Sequence, residues 1–213
     1  MKKFWLAIPL LSLLVHPAVA QEKEEKDDKE ESRIENAGKV FKEILDAPDS
    51  IPQDVLDKAD CVVTLPSVLK FAIGFGGSYG RGVMTCRGGS NFNGPWGPPT
   101  MMALEGGSAG LQFGGNATDF VPLLMSPRSA TSMLSSKVKL GSDATAAAGP
   151  VGRTAAAESD VARRSDNSGN KKLYNTTVSA EDIVFKHAVR VPPSAKVLLT
   201  TLEKASPKNK SNK

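Results

Sequence analysis

The chain has 213 residues, a formal net charge of +4 and a pI near 9.0. Aromatic residues make up only 6% of it, which argues against a stacking platform for single-stranded nucleic acid, so we expect no nucleic-acid partner. The 19 glycines and 14 prolines indicate many turns, and the length suits one domain with a proper hydrophobic core.

Residues 1–20 have the order of properties of a cleavable signal peptide. Two lysines open the segment, residues 4–15 form an apolar run too short for a stable membrane anchor, and residues 18–20 match the small-residue pattern of a cleavage site. We expect cleavage just before Gln21, and no cysteine near that position offers a lipid attachment site. The sequence therefore predicts an exported protein, periplasmic or secreted.

Charge is concentrated at the two ends of the mature chain. Residues 21–31 carry seven acids and three lysines, whereas residues 186–213 carry seven basic residues and one glutamate. Because charge-rich runs with few apolar residues usually stay solvated, we interpret residues 21–32 as a charged linker and residues 206–213 as a basic disordered tail. The tail could instead add attraction to an anionic membrane surface, at about 1 kcal/mol for each basic group close to it.

Helical periodicity is clearest in residues 33–47, where apolar side chains recur on one face and charged ones occupy the other. Ser32 and Glu35 have the spacing of a capping box, and Pro48 follows the helix. A short helix is expected near residues 51–56. Two more are expected near the C-terminus, over residues 180–187 and 194–205.

The middle of the chain predicts antiparallel strands. Residues 61–65 are apolar and β-branched, and residues 71–86 read as a glycine-rich hairpin. Further short strands are expected at 101–104, 109–113, 120–125, 137–140 and 144–148, with a short helix at 126–135. The polar residues 158–170 predict a surface loop.

Repeated glycines inside these strand patterns indicate bulges and tight curvature: Gly74, Gly76, Gly77, Gly80 and Gly82. The sequence therefore predicts an α+β fold in which the N-terminal amphipathic helix packs on a curved, glycine-rich antiparallel sheet or partial barrel. Short C-terminal helices complete it.

The two cysteines of the chain, Cys61 and Cys86, flank the predicted hairpin. An exported protein can oxidise such a pair, and the hairpin would bring its ends together. We expect a disulfide rather than a metal site, because the mature chain retains only His187 as a further ligand.

Patterns that carry catalysis are missing from the sequence. The glycine-rich residues 74–82 lack the closing Gly-Lys-Ser/Thr of a phosphate loop, and His187 stands alone without the partners of a nucleophilic triad. The acids have no metal-loop spacing. We therefore expect no enzyme activity, cofactor or metal, and keep an enzyme without a recognisable motif only as a remote alternative.

Several segments together resemble the SYLF domain family. They are the helix AGKVFKEIL, residues 59–87, the Trp96-Gly97-Pro98-Pro99 turn, and residues 106–125, 139–153 and 173–195. The resemblance identifies residues 33–205 as a SYLF-like domain. Members of this family include bacterial exported proteins and eukaryotic cytoplasmic proteins linked to phosphoinositide and actin binding.

The chain departs from the family pattern after residue 153. Family members usually carry there a Ser-Tyr-Ser-x-Ser-x-Gly-Leu-Phe-Ala-Gly segment that reads as a further hairpin, whereas this chain has the short polar stretch at residues 163–170. Closure of the sheet is therefore in question.

The resemblance implies a non-enzymatic module of the cell envelope that binds anionic phospholipid. An amphipathic helix presenting Phe41 between Lys39 and Lys42 can lie in a headgroup layer, although the same apolar stripe would equally serve a core-facing helix. Further headgroup contacts are expected at strand ends: Lys70, Arg81, Arg87 and Arg153. The alternative is a structural or protein-interaction module with an envelope protein as its partner.

Overall fold

A computed structural model of the chain describes residues 18–135 and 160–211. The helices of this part are α1 (Ala18–Asp46), α2 (Gln53–Leu56), α3 (Pro127–Leu134), α4 (Asn167–Tyr174), α5 (Ala180–Lys186) and α6 (Lys196–Ala205). The strands are β1 (Cys61–Cys86), β2 (Thr100–Phe120), β3 (Leu123–Leu124) and β4 (Asp160–Ser165). The predicted α+β class is confirmed. The strands expected at 137–140 and 144–148, and Arg153, lie outside the described residues.

Helix α1 is longer than the sequence predicts. It runs without a break through residues 21–32, which the charge pattern assigns to a linker, and Ser32 lies inside it rather than at its N-cap. Glutamates and lysines four residues apart recur in this segment, and such pairs stabilise a helix. Near the end of the segment Glu30 is buried, and it pairs with Arg33 on its own helix and with Lys172 of α4.

The sheet is built on one long two-stranded ribbon. The hairpin predicted within residues 61–86 is wrong, because this segment is the single strand β1, which pairs antiparallel with β2 from Leu65 opposite Phe120 to Met84 opposite Thr100. The glycines that predict turns in the sequence do not end the strand. They are positions at which the continuous ribbon bends. The short strand β3 and strand β4 lie at the two edges, in the order β3-β1-β2-β4, so the described sheet is open.

The ribbon doubles over, so that the two ends of β1 meet. Its pairing register shifts between Leu65 and Val68 and again between Ile73 and Phe75. Gly80 packs against Val68, and a Cβ at Gly82 would overlap the carbonyl oxygen of Thr64. The predicted link between glycines and curvature is thus visible at the residues that bring the strand ends into contact.

The predicted disulfide joins Cys61 to Cys86, whose Cα atoms are 4.0 Å apart. Beside it the Arg87 N–H donates to the Asp60 carbonyl at 2.9 Å, and the Gly97 N–H donates to the Cys86 carbonyl at 2.9 Å. The disulfide and the backbone hydrogen bond from Arg87 to Asp60 therefore close the same junction, and the bond from Gly97 fixes the segment that follows Cys86.

Within the surface loop predicted at 158–170, the described residues 160–170 form a strand and the start of a helix instead. Residues 160–165 are strand β4, which pairs with β2 from Gly107 to Met102, and α4 follows at once. Asp166 accepts a hydrogen bond from the Gly169 N–H at the start of α4. Polar composition alone predicts a loop, whereas these residues pair with β2 at the edge of the sheet and then begin α4.

Core side chains lie on both faces of the curved ribbon, as the alternation of a strand requires. On one face helices α3 and α5 cover β1 and β2 through Met133, Leu134, Ala180, Ile183 and Val184. On the other, α1 and α6 cover the ribbon through Ile34, Ala37, Phe41, Leu198 and Leu202. The C-terminal helices predicted from the sequence thus supply much of the core.

Candidate functional site

Helices α1 and α6 lie side by side and run in the same direction. Near the start of their contact a Cβ on Gly38 would be 2.8 Å from the backbone nitrogen of Leu198, so the helices touch at backbone distance. Near their C-terminal ends Leu45 and Asp46 share a groove with Lys204 and Ala205. Residues early in the contact on α1 therefore meet early residues of α6, and late residues meet late ones, as two parallel helices require.

The solvent side of this helix pair is lined with lysines. Lys39 and Lys42 are exposed on α1 and lie three residues apart, so they share one face. On α6, Lys196, Thr200 and Lys204 are exposed at intervals of four residues and also share one face. We call the surface formed by Lys39, Lys42, Lys196, Val197 and Lys204 the two-helix face.

Val197 and Phe41 show which apolar side chains this face presents. Val197 is 42% exposed beside Gly38, whereas Phe41 is fully buried in the core. The prediction that Phe41 contacts a headgroup layer is therefore wrong. Its apolar stripe is used to pack α1 on the sheet, and α1 offers lysines rather than an aromatic ring to the solvent.

A shallow groove of about 300 Å³ lies at the C-terminal end of the two-helix face. Its lining is Lys42, Leu45, Asp46, Thr200, Thr201, Lys204 and Ala205. Lys42 and Asp46 form an ion pair one helical turn apart, with both side chains more than half exposed. The groove therefore combines two ammonium groups, a carboxylate and two hydroxyls over an apolar floor.

Arg87 occupies a different setting from these lysines. It is fully buried, its guanidinium lies 4.1 Å from the centre of the Trp96 ring, and its nitrogens donate to the carbonyls of Ala59 and Ser206. Burial lowers the pKa of this guanidinium, although nearby Glu203, Asp57 and Asp60 oppose the shift. The prediction that Arg87 binds a headgroup is wrong, because its donors face protein.

Ser206, which accepts hydrogen bonds from Arg87, belongs to the segment predicted as a disordered tail. Ser206 is fully buried and donates its hydroxyl to Asp57 at 2.8 Å, Asn209 donates to Asp60 at 2.9 Å, and Lys210 pairs with Asp57 at 2.7 Å. The segment is ordered as far as residue 211. The lysines of this segment predict a solvated chain, but Asp57 and Asp60 are buried acceptors that bind its side chains to the domain.

Asp57 is the acid at the centre of this arrangement. Burial alone would raise the pKa of its carboxyl, but hydrogen bonds from Lys210, Ser206 and Gln53 outweigh that effect and lower the pKa below its ordinary value. The ionised form is therefore the one that the folded protein favours.

Lys70 and Arg81 lie on the ribbon and not on the two-helix face. Lys70 is exposed, with its ammonium 5.6 Å from the Phe120 ring centre. Arg81 pairs with Asp166, and with Glu105 at 3.7 Å. Burial tends to raise the pKa of Asp166, but hydrogen bonds from Gly169 and Ser168 and the charge of Arg81 lower it overall. Arg81 is therefore already neutralised by carboxylates.

Of the predicted headgroup contacts that the structure describes, Lys39 and Lys42 come together, while Lys70 and Arg81 lie apart from them. The sequence interpretation missed Lys196 and Lys204. Their spacing of eight residues with Thr200 between them could have identified a polar stripe on α6.

Within residues 18–135 and 160–211, no three acidic, histidine or cysteine side chains are grouped so that they could hold a metal ion. Among the helices described, none has the length and apolar content needed to cross a bilayer.

Comparison with protein families gives a match over residues 105–167 to the family described as Ysc84, Las17-binding protein actin regulator. That segment covers most of β2, α3 and all of β4. No solved structure matches the chain.

Curated relatives extend the similarity over most of the chain. Protein YSC84 of Saccharomyces cerevisiae is 29% identical over 205 residues, covering 81% of this chain and 43% of the relative. The SH3 domain-containing protein PJ696.02 of Schizosaccharomyces pombe is 32% identical over 133 residues, covering 59% and 30%. LAS seventeen-binding protein 3 of Saccharomyces cerevisiae is 27% identical over 188 residues, covering 76% and 40%.

The chain spans less than half the length of these relatives. The family is described as a Las17-binding protein and actin regulator, and one relative is named as a LAS seventeen-binding protein; neither description is that of an enzyme. Together the family match over residues 105–167 and the yeast relatives agree with the motifs in residues 33–205, so the chain is similar to the SYLF family over most of its length.

Proposed function

We propose that this protein is a non-enzymatic, exported protein of the cell envelope that binds anionic phospholipid surfaces through the two-helix face. The observation that carries the proposal is the pair of lysine stripes on parallel helices, Lys39 with Lys42 and Lys196 with Lys204, all four exposed. A rigid pair of helices holds these ammonium groups on one surface. The exposed Val197 lies between the stripes and gives that surface a small apolar contact.

The expected binding is electrostatic and peripheral. A basic group close to an anionic membrane contributes about 1 kcal/mol, so four lysines could supply about 4 kcal/mol before losses. Glu43 and Asp46 on the same side of α1 reduce this attraction. Because Phe41 is buried in the core, deep insertion of α1 into the bilayer would require the core to open. We therefore expect the protein to stay at the membrane surface.

Vesicle co-sedimentation tests the proposal. Vesicles of phosphatidylcholine alone are compared with vesicles in which part of that lipid is replaced by phosphatidylglycerol, at low and high salt. We expect binding only to the anionic vesicles, with a steep loss as salt rises. Equal binding to both vesicle types at low salt would rule the proposal out.

Charge reversal locates the binding surface. The double variant Lys39→Glu/Lys196→Glu should lose at least about tenfold in anionic vesicle affinity, since it removes two attractive groups and adds two repulsive ones. The matched control is Lys58→Glu/Lys171→Glu, which changes the net charge equally at exposed positions on α2's flank and on α4. If the control variant lost the same vesicle affinity, the attraction would come from the overall charge of the protein and not from the two-helix face.

Export has its own test. We infer cleavage before Gln21 from the order of charged, apolar and small residues in residues 1–20. Expression of the full chain in a bacterial host, followed by fractionation and N-terminal sequencing, should recover a periplasmic or secreted protein that starts at Gln21. Recovery of an uncleaved cytoplasmic chain would contradict the inference.

A second candidate function is binding to an envelope protein. It is favoured by the printed names of the relatives, which are Las17-binding or actin-regulating. The described part of the ribbon also exposes Leu69 and Tyr79, at 51% and 43%. A partner that is retained without lipid, and is lost with Leu69→Ser but not with Lys39→Glu/Lys196→Glu, would support this function instead.

A further inference from the structure

The groove at the end of the two-helix face has mixed charge. Lys42 and Lys204 approach it from opposite helices, and Asp46 lies on the same lining. Thr201 already donates its hydroxyl to the Val197 carbonyl at 2.8 Å, whereas the exposed Thr200 faces the groove from the next position. A ligand that fits this lining must offer both an anionic and a cationic group.

The parallel direction of α1 and α6 makes one end of the groove more favourable for a positively charged group of a ligand. Because α1 and α6 are parallel, they end at the same side, at Asp46 and Ala205. The last carbonyls of a helix lack partners within it and carry partial negative charge. The Ala205 carbonyl accepts a hydrogen bond from the Gln53 side chain at 2.7 Å, so this carbonyl already has a partner within the protein.

We propose that this groove recognises the phosphoethanolamine headgroup of phospholipids. The inference rests on the proposed lipid-binding function and deepens it by naming the headgroup. The phosphate would lie between the ammonium groups of Lys42 and Lys204, with the Thr200 hydroxyl as a further donor. The primary ammonium would face Asp46 and the two helix ends, where a quaternary choline group could not donate hydrogen bonds.

Two features of the groove suit this occupant. Its volume of about 300 Å³ is at the lower end of the range for small-ligand sites, as a headgroup without its acyl chains requires. The ion pair between Lys42 and Asp46 must separate to admit the ligand, and it is exposed, so its opening has a small cost. The headgroup then supplies a partner of the correct sign to each side chain.

The test compares vesicles that differ in one lipid. Phosphatidylglycerol is held at a fixed fraction, and phosphatidylcholine is exchanged for phosphatidylethanolamine. We expect the full mature chain to bind the ethanolamine vesicles about two- to fivefold more tightly, the gain typical of an exposed charge-assisted contact. Equal affinity for the two vesicle types would overturn the inference but leave the proposed function intact.

Asp46→Asn and Asp54→Asn are a matched pair that isolates the ammonium contact. Both remove one exposed carboxylate, but Asp54 lies on α2, outside the groove. Asp46→Asn should abolish the preference for ethanolamine while binding to anionic vesicles is kept or improved. Asp54→Asn should retain the preference. If the preference survives in Asp46→Asn, it comes from bilayer packing and the inference fails.

Soluble O-phosphoethanolamine provides a readout without a membrane. In spectra of the full mature chain it should shift backbone amide resonances of residues 42–46 and 200–205, and inorganic phosphate at equal concentration should shift them less. Equal shifts from both compounds would assign the groove to phosphate alone and overturn the ammonium assignment.

Discussion

The buried Arg87 and the lysines of the two-helix face are cations with opposite tasks. Arg87 is enclosed by the Trp96 ring and the carbonyls of Ala59 and Ser206. Lys39 and Lys196 are exposed on helices whose other faces form the core. The sequence alone does not distinguish a basic residue at a strand end, such as Arg87, from one on a helix, such as Lys39. In the structure only the lysine on the helix has donors that an external ligand can reach.

The difference predicts that substitutions at the Arg87 cluster change stability, while those on the two-helix face change binding. The largest effect is expected for Arg87→Met. It removes the guanidinium donors to the carbonyls of Ala59 and Ser206, and because a buried hydrogen bond from a charged group is worth about 1.5–3 kcal/mol, we expect a loss of about 3–5 kcal/mol. Urea unfolding measures this change in the free energy of unfolding.

Arg87→Lys serves as the control for that variant. It keeps the charge but cannot reach Ala59 and Ser206 with a planar fork, so an intermediate loss is expected. Wild-type stability in Arg87→Met would show that the cluster does not hold the ribbon ends together.

Removal of the disulfide should have the next largest effect. The double variant Cys61→Ala/Cys86→Ala frees a loop with a sequence separation of 25, which corresponds to about 3.5 kcal/mol of chain entropy. The backbone bond from Arg87 to Asp60 closes the same junction, so the variant should still fold. Loss of the folded state by circular dichroism would contradict this.

A pair of glycines tests the close approach of the ribbon ends. Gly82→Ala places a methyl group against the Thr64 carbonyl and should cost about 2–3 kcal/mol, as overpacked sites do. In Gly115→Ala the nearest atom is the Lys70 carbonyl oxygen at 3.9 Å, which is ordinary contact. Thermal unfolding should therefore separate the two variants, and equal melting temperatures would contradict the doubled ribbon.

Acid should weaken the attachment of residues 206–211 through Asp57. The pKa of this carboxyl is lowered on folding, so its contribution is present above the unfolded pKa near 3.8 and is lost as pH falls through the lower folded value. Asp57→Asn should flatten the fall of stability as pH drops below the unfolded pKa near 3.8, which urea unfolding at a series of pH values would measure. Asp54→Asn, which also removes one carboxylate but at an exposed site, is the matched control.

The smallest effect on stability is expected on the two-helix face itself. Lys39→Gln and Lys196→Gln should change the free energy of unfolding by less than about 0.5 kcal/mol, because both side chains are exposed. A large destabilisation would mean that these lysines serve the fold.

Periodicity was sufficient for the helices of the core but not for the sheet. The apolar spacing around Phe41 and Leu198 identifies α1 and α6, since a helix repeats its buried face locally. The pairing of Leu65 with Phe120 depends on residues far apart in the chain, and glycines inside β1 resemble turns when they are read without that partner. Local patterns therefore divided one bent strand into three.

The candidate site was half predictable for the same reason. Lys39 and Lys42 follow from one amphipathic helix, but the adjacency of Lys196 and Lys204 requires the packing of α6 on α1. The burial of Arg87 depends on Ser206, whose position beside it no local pattern predicts. Sites that combine distant segments need the tertiary fold.

The hydrogen bond between Arg87 and Ser206 also affects the order in which the protein can mature. Its partners are 119 positions apart, so Arg87 waits without its main acceptor until residue 206 has been synthesised. During synthesis the junction of the ribbon ends therefore stays incomplete, and the growing chain is easier to keep unfolded. A polypeptide that must be threaded through a translocation channel before it folds would benefit from that delay.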